Sequence, residues 1–157
     1  MKNPLPLHTL GNRDLLSGHK VAFLCSRNCP AEAAEKSRLW AIAQRERGSC
    51  VISGFHSRIE KDVLIHLIPG SQPIILALAR GIMSHLEPWM ERRLGEGRLL
   101  IVTRYAESVT HACEDSCFHR NRLMIEMADE IVVAFASPGG SLERLCRENP
   151  HLRFFLL

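Results

Sequence analysis

Residues 117–145 read CFHRNRLMIEMADEIVVAFASPGGSLERL and set three textures side by side: a basic cluster, an amphipathic segment and an apolar run that ends in a glycine pair. The run EIVVAFA (130–136) has the short, β-branched character of a strand buried on both faces. Before it, RNRLMIEMA puts Leu123, Met124, Met127 and Ala128 on one helical side, a stripe that reads as core packing. After it, SLERLCREN reads as a second helix. Helix, buried strand and helix in succession form the building unit of a parallel sheet covered on both faces.

The same alternation extends outward. KVAFLCS, SCVISG, PIILALA, RLLIVT and LRFFLL read as further strands; AEAAEKSRLWAIAQRERG, IEKDVLIHLI and LEPWMERRLGEG read as helices. Pro30 suits the first turn of the first helix and Gly48 its end, with Ala34, Leu39, Ile42 and Ala43 as the expected apolar side. RYAESVTHACEDSCFH reads as a polar loop, so that Arg120 and Arg122 open the helix behind it, with Arg122 paired to Glu126 one turn on. The expectation is one α/β domain over residues 20–157, three layers around a mostly parallel sheet of about six strands. Residues 1–19 are expected to be a polar lead-in with a short turn near residues 14–16.

The chain has 157 residues, enough to bury a core unaided, and its 46% apolar and 24% charged content is ordinary for a globular protein. No run approaches membrane-helix length and the two prolines of MKNPLPLHTLGNRDLL argue against an export leader, so a cytoplasmic protein without a membrane partner is expected. The net charge of +3 permits a polyanionic partner without demanding one, and aromatic content of 6% does not advertise stacking of successive bases.

In an open α/β sheet, ligands bind beyond the carboxyl ends of the strands, where strand order reverses. Those ends carry Ser26-Arg27, then Ser53-Gly54 with Arg58, then Arg80, then Arg104, and finally Gly139-Gly140-Ser141 behind Pro138. Arginines gathered on one rim repel one another unless an anion lies between them, most simply a phosphate. Arg120, Asn121 and Arg122 would join that rim. Serine hydroxyls and the amides of the glycine pair at a helix start would supply neutral donors. No cofactor and no catalysis by the chain itself are expected.

Six cysteines without a secretory leader read as thiols. Cys25 with Cys29 and Cys113 with Cys117 sit in loops of the same rim and are candidate metal ligands, although neither pair has the spacing of a zinc knuckle, and reduced loop thiols remain the simpler reading. Cys50 and Cys146 read as packed core thiols. Trp40 and Trp89 read as core packing.

With these residues assembled, the chain resembles the DNA-processing protein A (DprA, or Smf) family over roughly residues 20–146. FHRNRLMIEMADEIVVAFASPGGSL carries the resemblance most specifically. CSRNC resembles the family's Gly-Ser-Arg turn with Cys25 in place of glycine; VISGF keeps Ser53 and Gly54, and LALARGI keeps Gly81. The resemblance implies a Rossmann-like core, a phosphate pocket, single-stranded DNA binding in DNA processing or recombination, and a homodimer paired through exposed helices. A small-nucleotide sensor is an alternative. A second is a nucleotide phosphoribohydrolase of the "lonely guy" kind, which Pro138-Gly139-Gly140 resembles; Cys146 stands at that family's catalytic glutamate, leaving Glu143 as the substitute acid–base group.

Overall fold

The computed structural model describes residues 5–150 and the backbone of residues 154–156. One seven-stranded sheet runs in the order β1-β5-β4-β3-β2-β6-β7, built from His8–Gly11 (β1), Lys20–Cys25 (β2), Cys50–Ser53 (β3), Ile74–Ala77 (β4), Leu99–Thr103 (β5), Glu130–Phe135 (β6) and Phe154–Leu156 (β7). Every pairing is parallel except that of β1 with β5. The helices are Ala31–Arg47 (α1), Arg58–Leu67 (α2), Pro88–Gly95 (α3), Glu114–Met127 (α4) and Ser141–Glu148 (α5), with a 3-10 turn at Arg13–Ser17.

The alternation of strand side chains fixes the layers. Val21, Phe23, Val51, Ile74, Leu76, Leu99, Ile101 and Val132 face α1, α2 and α3. Ala22, Leu24, Ile52, Ile75, Leu100, Val102, Ile131 and Val133 face α4 and α5. Both faces are dry, as strands without polar alternation require. The expected three-layer α/β fold is therefore what forms. β1 is an addition: four residues of the segment expected to be a polar lead-in form an antiparallel edge strand, His8 opposite Thr103 and Gly11 opposite Leu100. Among the described residues no helix is long and apolar enough to cross a membrane.

Two helices depart from their expected readings. α1 faces the core with Ala33, Ser37, Ala41 and Gln44, and Leu39 is 53% exposed. The small side chains let α1 lie close to the sheet, with Trp40 stacked on Phe23 at 5.0 Å between ring centroids. α4 begins at Glu114, two turns before Arg120, because Cys113 and Ser116 cap it reciprocally: the Cys113 sulfur accepts from the Ser116 amide (3.4 Å) and the Ser116 hydroxyl from the Cys113 amide (2.8 Å). The segment read as a polar loop is thus partly helix, and Arg120 lies within α4 rather than at its start.

Candidate anion site at the strand ends

β2 has β3 on one side and β6 on the other, so strand order reverses between β2 and β6. The turns leaving these two strands are tied together. The Ser26 amide donates to the Phe135 carbonyl (2.8 Å), and the Ser26 hydroxyl accepts from the Ser137 amide (2.9 Å). An open cleft lies at this crossing, lined by Arg27, Asn28, Cys29, Arg58, Ser137 and Pro138, among others. Arg27 and Arg58 are exposed.

A residue the sequence reading passed over ties together two of the turns beside the cleft. Glu60, 4% exposed, accepts from the amides of Cys25 (3.1 Å), His56 (3.0 Å) and Ser57 (3.3 Å). Its carboxylate joins the turn carrying Arg27 to the turn carrying Arg58 and completes a capping box with Ser57 at the start of α2. The pattern Ser-x-x-Glu before an apolar run was available as a signal.

Hydroxyls at two strand ends do the same structural work. Ser53 donates to the Phe23 carbonyl (3.0 Å) and accepts from the Phe55 amide (3.2 Å); Thr103 donates to the Arg80 carbonyl (2.6 Å) and accepts from the Tyr105 amide (3.1 Å). Ser53 is fully buried and occupied in this way, so it lies away from any surface anion. It also steadies Phe55, whose φ of 46° is unusual for a bulky side chain.

The remaining expected residues separate. Gly54 packs face-on against Arg120: a Cβ there would lie 2.2 Å from Nη1, so only glycine admits the guanidinium. Arg120 is 5% exposed; it donates to the Ala77 carbonyl (3.4 Å) and, through Nε, to the Asn121 side-chain oxygen (2.8 Å). Arg80 donates to the Gly81 carbonyl (3.3 Å) and lines neither hollow. Arg104 bonds the Leu5 carbonyl. With Arg120 and Arg122 it lines a second cavity, between α4 and the loops after β4 and β5, where burial raises the Tyr105 phenol above its ordinary pKa.

Gly139 needs its positive φ of 74° to turn the chain into α5, and its amide donates to Glu143 Oε1 (3.2 Å); the Gly140 amide donates to the Ser137 carbonyl (2.9 Å). Both amides expected to face a ligand are thus engaged within the turn. Ser141 is the first residue of α5 and exposed.

Among the described residues, Arg27, Arg58, Arg80, Arg104, Arg120 and Arg122 form no salt bridge, while eight other pairs do. The expected Arg122–Glu126 pair does not form; both side chains are exposed, where such pairs gain little. The crowding of positive charge registers at His56. Desolvation first, then repulsion by Arg120, with Lys61 and Arg27 in the same direction and Glu60 opposing, hold its imidazole below the ordinary histidine value. The candidate cysteines do not gather: no group of three or more metal-ligating side chains occurs among the described residues. Cys25 is buried, its thiol pushed up by burial and by neighbouring Cys29; Cys113 and Cys117 belong to the start of α4.

The family described as DNA recombination-mediator protein A matches over residues 1–145. The chain belongs to that family. Solved structures share the fold: DNA processing protein A of Streptococcus pneumoniae superposes with a TM-score of 0.73 at 21% identity, covering 96% of this chain and 54% of that one. The Helicobacter pylori DNA processing protein A, described with a single-stranded DNA binding mode, gives 0.71 at 20% identity, covering 99% and 74%. A molybdenum cofactor binding protein from Rippkaea orientalis is a more distant structural relative (0.57, 10% identity, covering 88% and 75%). This DNA recombination-mediator protein A family chain spans about half the length of the Streptococcus protein. No curated protein matches the sequence. The motif that carried the family resemblance has a structural basis, since Phe118 of α4 lies under the Arg144 guanidinium of α5, 4.3 Å from ring centroid to carbon.

Proposed function

We propose that the chain binds single-stranded DNA through its phosphates along the strand-end rim, in DNA processing or recombination, and performs no bond chemistry of its own. The observation that carries this reading is the set of rim arginines with no carboxylate partner among the described residues, two of them exposed at the switch-point cleft. A guanidinium left without an internal counter-charge at a strand-end crevice is free to take an external one. Family membership and the single-stranded DNA binding described for the Helicobacter pylori relative agree with it. The cleft would hold phosphate between Arg27 and Arg58, with Arg104 and Arg122 extending the basic track. The same reading includes a homodimer, to which α1 and α2 offer exposed Leu39 and Ile65.

Fluorescence anisotropy of a labelled oligonucleotide against salt tests the proposal. Affinity should fall steeply with salt, and Arg27→Ala with Arg58→Ala should reduce the log–log slope by about 1.4, the single-strand contribution of two cations, while weakening binding about tenfold at low salt. Affinity independent of salt, or a double variant that binds as the parent does, would overturn it.

His56 gives a second check. A phosphodiester beside it adds negative charge to surroundings in which Arg120, Lys61 and Arg27 outweigh Glu60, which raises the imidazole pKa on binding. Binding then takes up protons, so affinity for an oligonucleotide should rise several-fold as pH falls from about 7.5 to about 5.5. His56→Gln should flatten that profile. In the free protein the sign is opposite: a histidine with a depressed folded pKa costs stability once pH drops below about 6.5, where the unfolded chain binds the proton more readily.

A further inference from the structure

The second cavity is built differently from the switch-point cleft. It encloses about 310 Å³, at the small end of ligand pockets, and its walls are chiefly apolar: Leu78, Leu123 and the Tyr105 ring. Arg104, Arg120 and Arg122 stand on its lining with His119, and so does Glu126, which forms no salt bridge among the described residues. A small apolar slot with cations and one free carboxylate fits a flat ring that bears both an anion and hydrogen-bond donors. A bare phosphate would leave the apolar walls without a partner, and an aliphatic acid would leave the carboxylate unused.

We propose that this cavity is a base-binding subsite for a nucleotide unit carrying an exocyclic amine, the base lying against Tyr105, Leu78 and Leu123 and donating an N–H to Glu126. Its phosphate meets Arg104 or Arg122. An ionised carboxylate only accepts hydrogen bonds, and the exocyclic amines of adenine, cytosine and guanine offer it an N–H not flanked by two carbonyls. Thymine's one donor, N3–H, sits between two carbonyl oxygens that repel the carboxylate, so the amine-bearing bases are favoured over thymine. The inference rests on the single-strand reading above and refines it. The cavity stands over the ends of β4 and β5, the cleft over β2 and β6. Three strand spacings separate them, about 14 Å, so one strand of several nucleotides can engage both while one nucleotide occupies a single site.

Tyr105 is the chain's one tyrosine, so 3-fluorotyrosine places a single fluorine reporter in the cavity wall. Titration of the full chain with dAMP should move that fluorine resonance saturably, and inorganic phosphate at equal concentration should not. In anisotropy, oligo-dA should bind about tenfold tighter than oligo-dT, and Glu126→Gln should erase most of that preference while oligo-dT still binds. A resonance that ignores dAMP, or that answers phosphate equally, overturns the inference. If oligonucleotides bind with the expected salt slope while the fluorine stays still, the subsite is wrong and the rim reading stands. If no oligonucleotide binds, both fall.

Discussion

Arg93→Met should destabilise the protein by about 3–5 kcal/mol, read as a lower urea midpoint at unchanged m. Arg93 is 4% exposed, and its guanidinium reaches the carbonyls of Leu67 (3.2 Å), Ile68 (3.1 Å), Gly70 (2.8 Å) and Gln72. These oxygens close the end of α2 and the turn into β4. The Leu67 carbonyl also accepts from the Gly70 amide (3.0 Å) and the Gln72 side-chain amide (2.6 Å), while those of Ile68, Gly70 and Gln72 rely on the guanidinium. Burial lowers the arginine's pKa, and the carbonyls stand in for the carboxylate it lacks. Methionine fills the space but donates nothing, so the buried Gln72 carbonyl and the partly buried carbonyls of Ile68 and Gly70 lose their donor at once, each at about 1–3 kcal/mol before relaxation. Since whole domains are stable by only about 5–15 kcal/mol, this is a large fraction of the total. A variant within about 1 kcal/mol of the parent would show that water replaces the guanidinium.

The second large effect belongs to Glu60. Glu60→Ala strips the acceptor from three amides, of which the Cys25 amide is buried, and should cost about 2–4 kcal/mol. Its signature is functional as well. The turns carrying Arg27 and Arg58 lose their common anchor, so DNA affinity should fall even where the variant is fully folded, as judged by circular dichroism below its melting transition. Glu60→Gln keeps one oxygen and should lie between the two. Folded Glu60→Ala protein with parental DNA affinity would mean that the turns hold their shape without the carboxylate.

What could be read from the sequence follows from how strongly each element depends on burial. The strands β2 to β6 sit between two helix layers, so their apolar runs are unbroken and legible. β1 is an edge strand of four residues, three of them exposed, and leaves no such mark. The face of α1 was misread because close approach to a sheet selects small side chains, and Ala33, Ser37 and Ala41 carry less hydrophobic signal than the exposed Leu39. α4 begins early through a cysteine–serine cap that lacks the usual glutamate. That shift decides the setting of Arg120: placed well inside a helix, it packs under Gly54 and reaches only the buried side of the second cavity. Sequence order located the rim itself, because strand ends follow from strand positions. Which side chains reach solvent there depended on hydrogen bonds between turns far apart in the chain, and those have no local signature.

The contact between Gly139 and Glu143 has a further effect. The turn at the start of α5 already holds an anion of its own, delivered by the helix it begins. An incoming phosphate that reaches this amide must evict a tethered competitor, whose local concentration no change of buffer dilutes. Such an exchange trades grip for quick release, and it favours guests held at several points over those that could hold on only here.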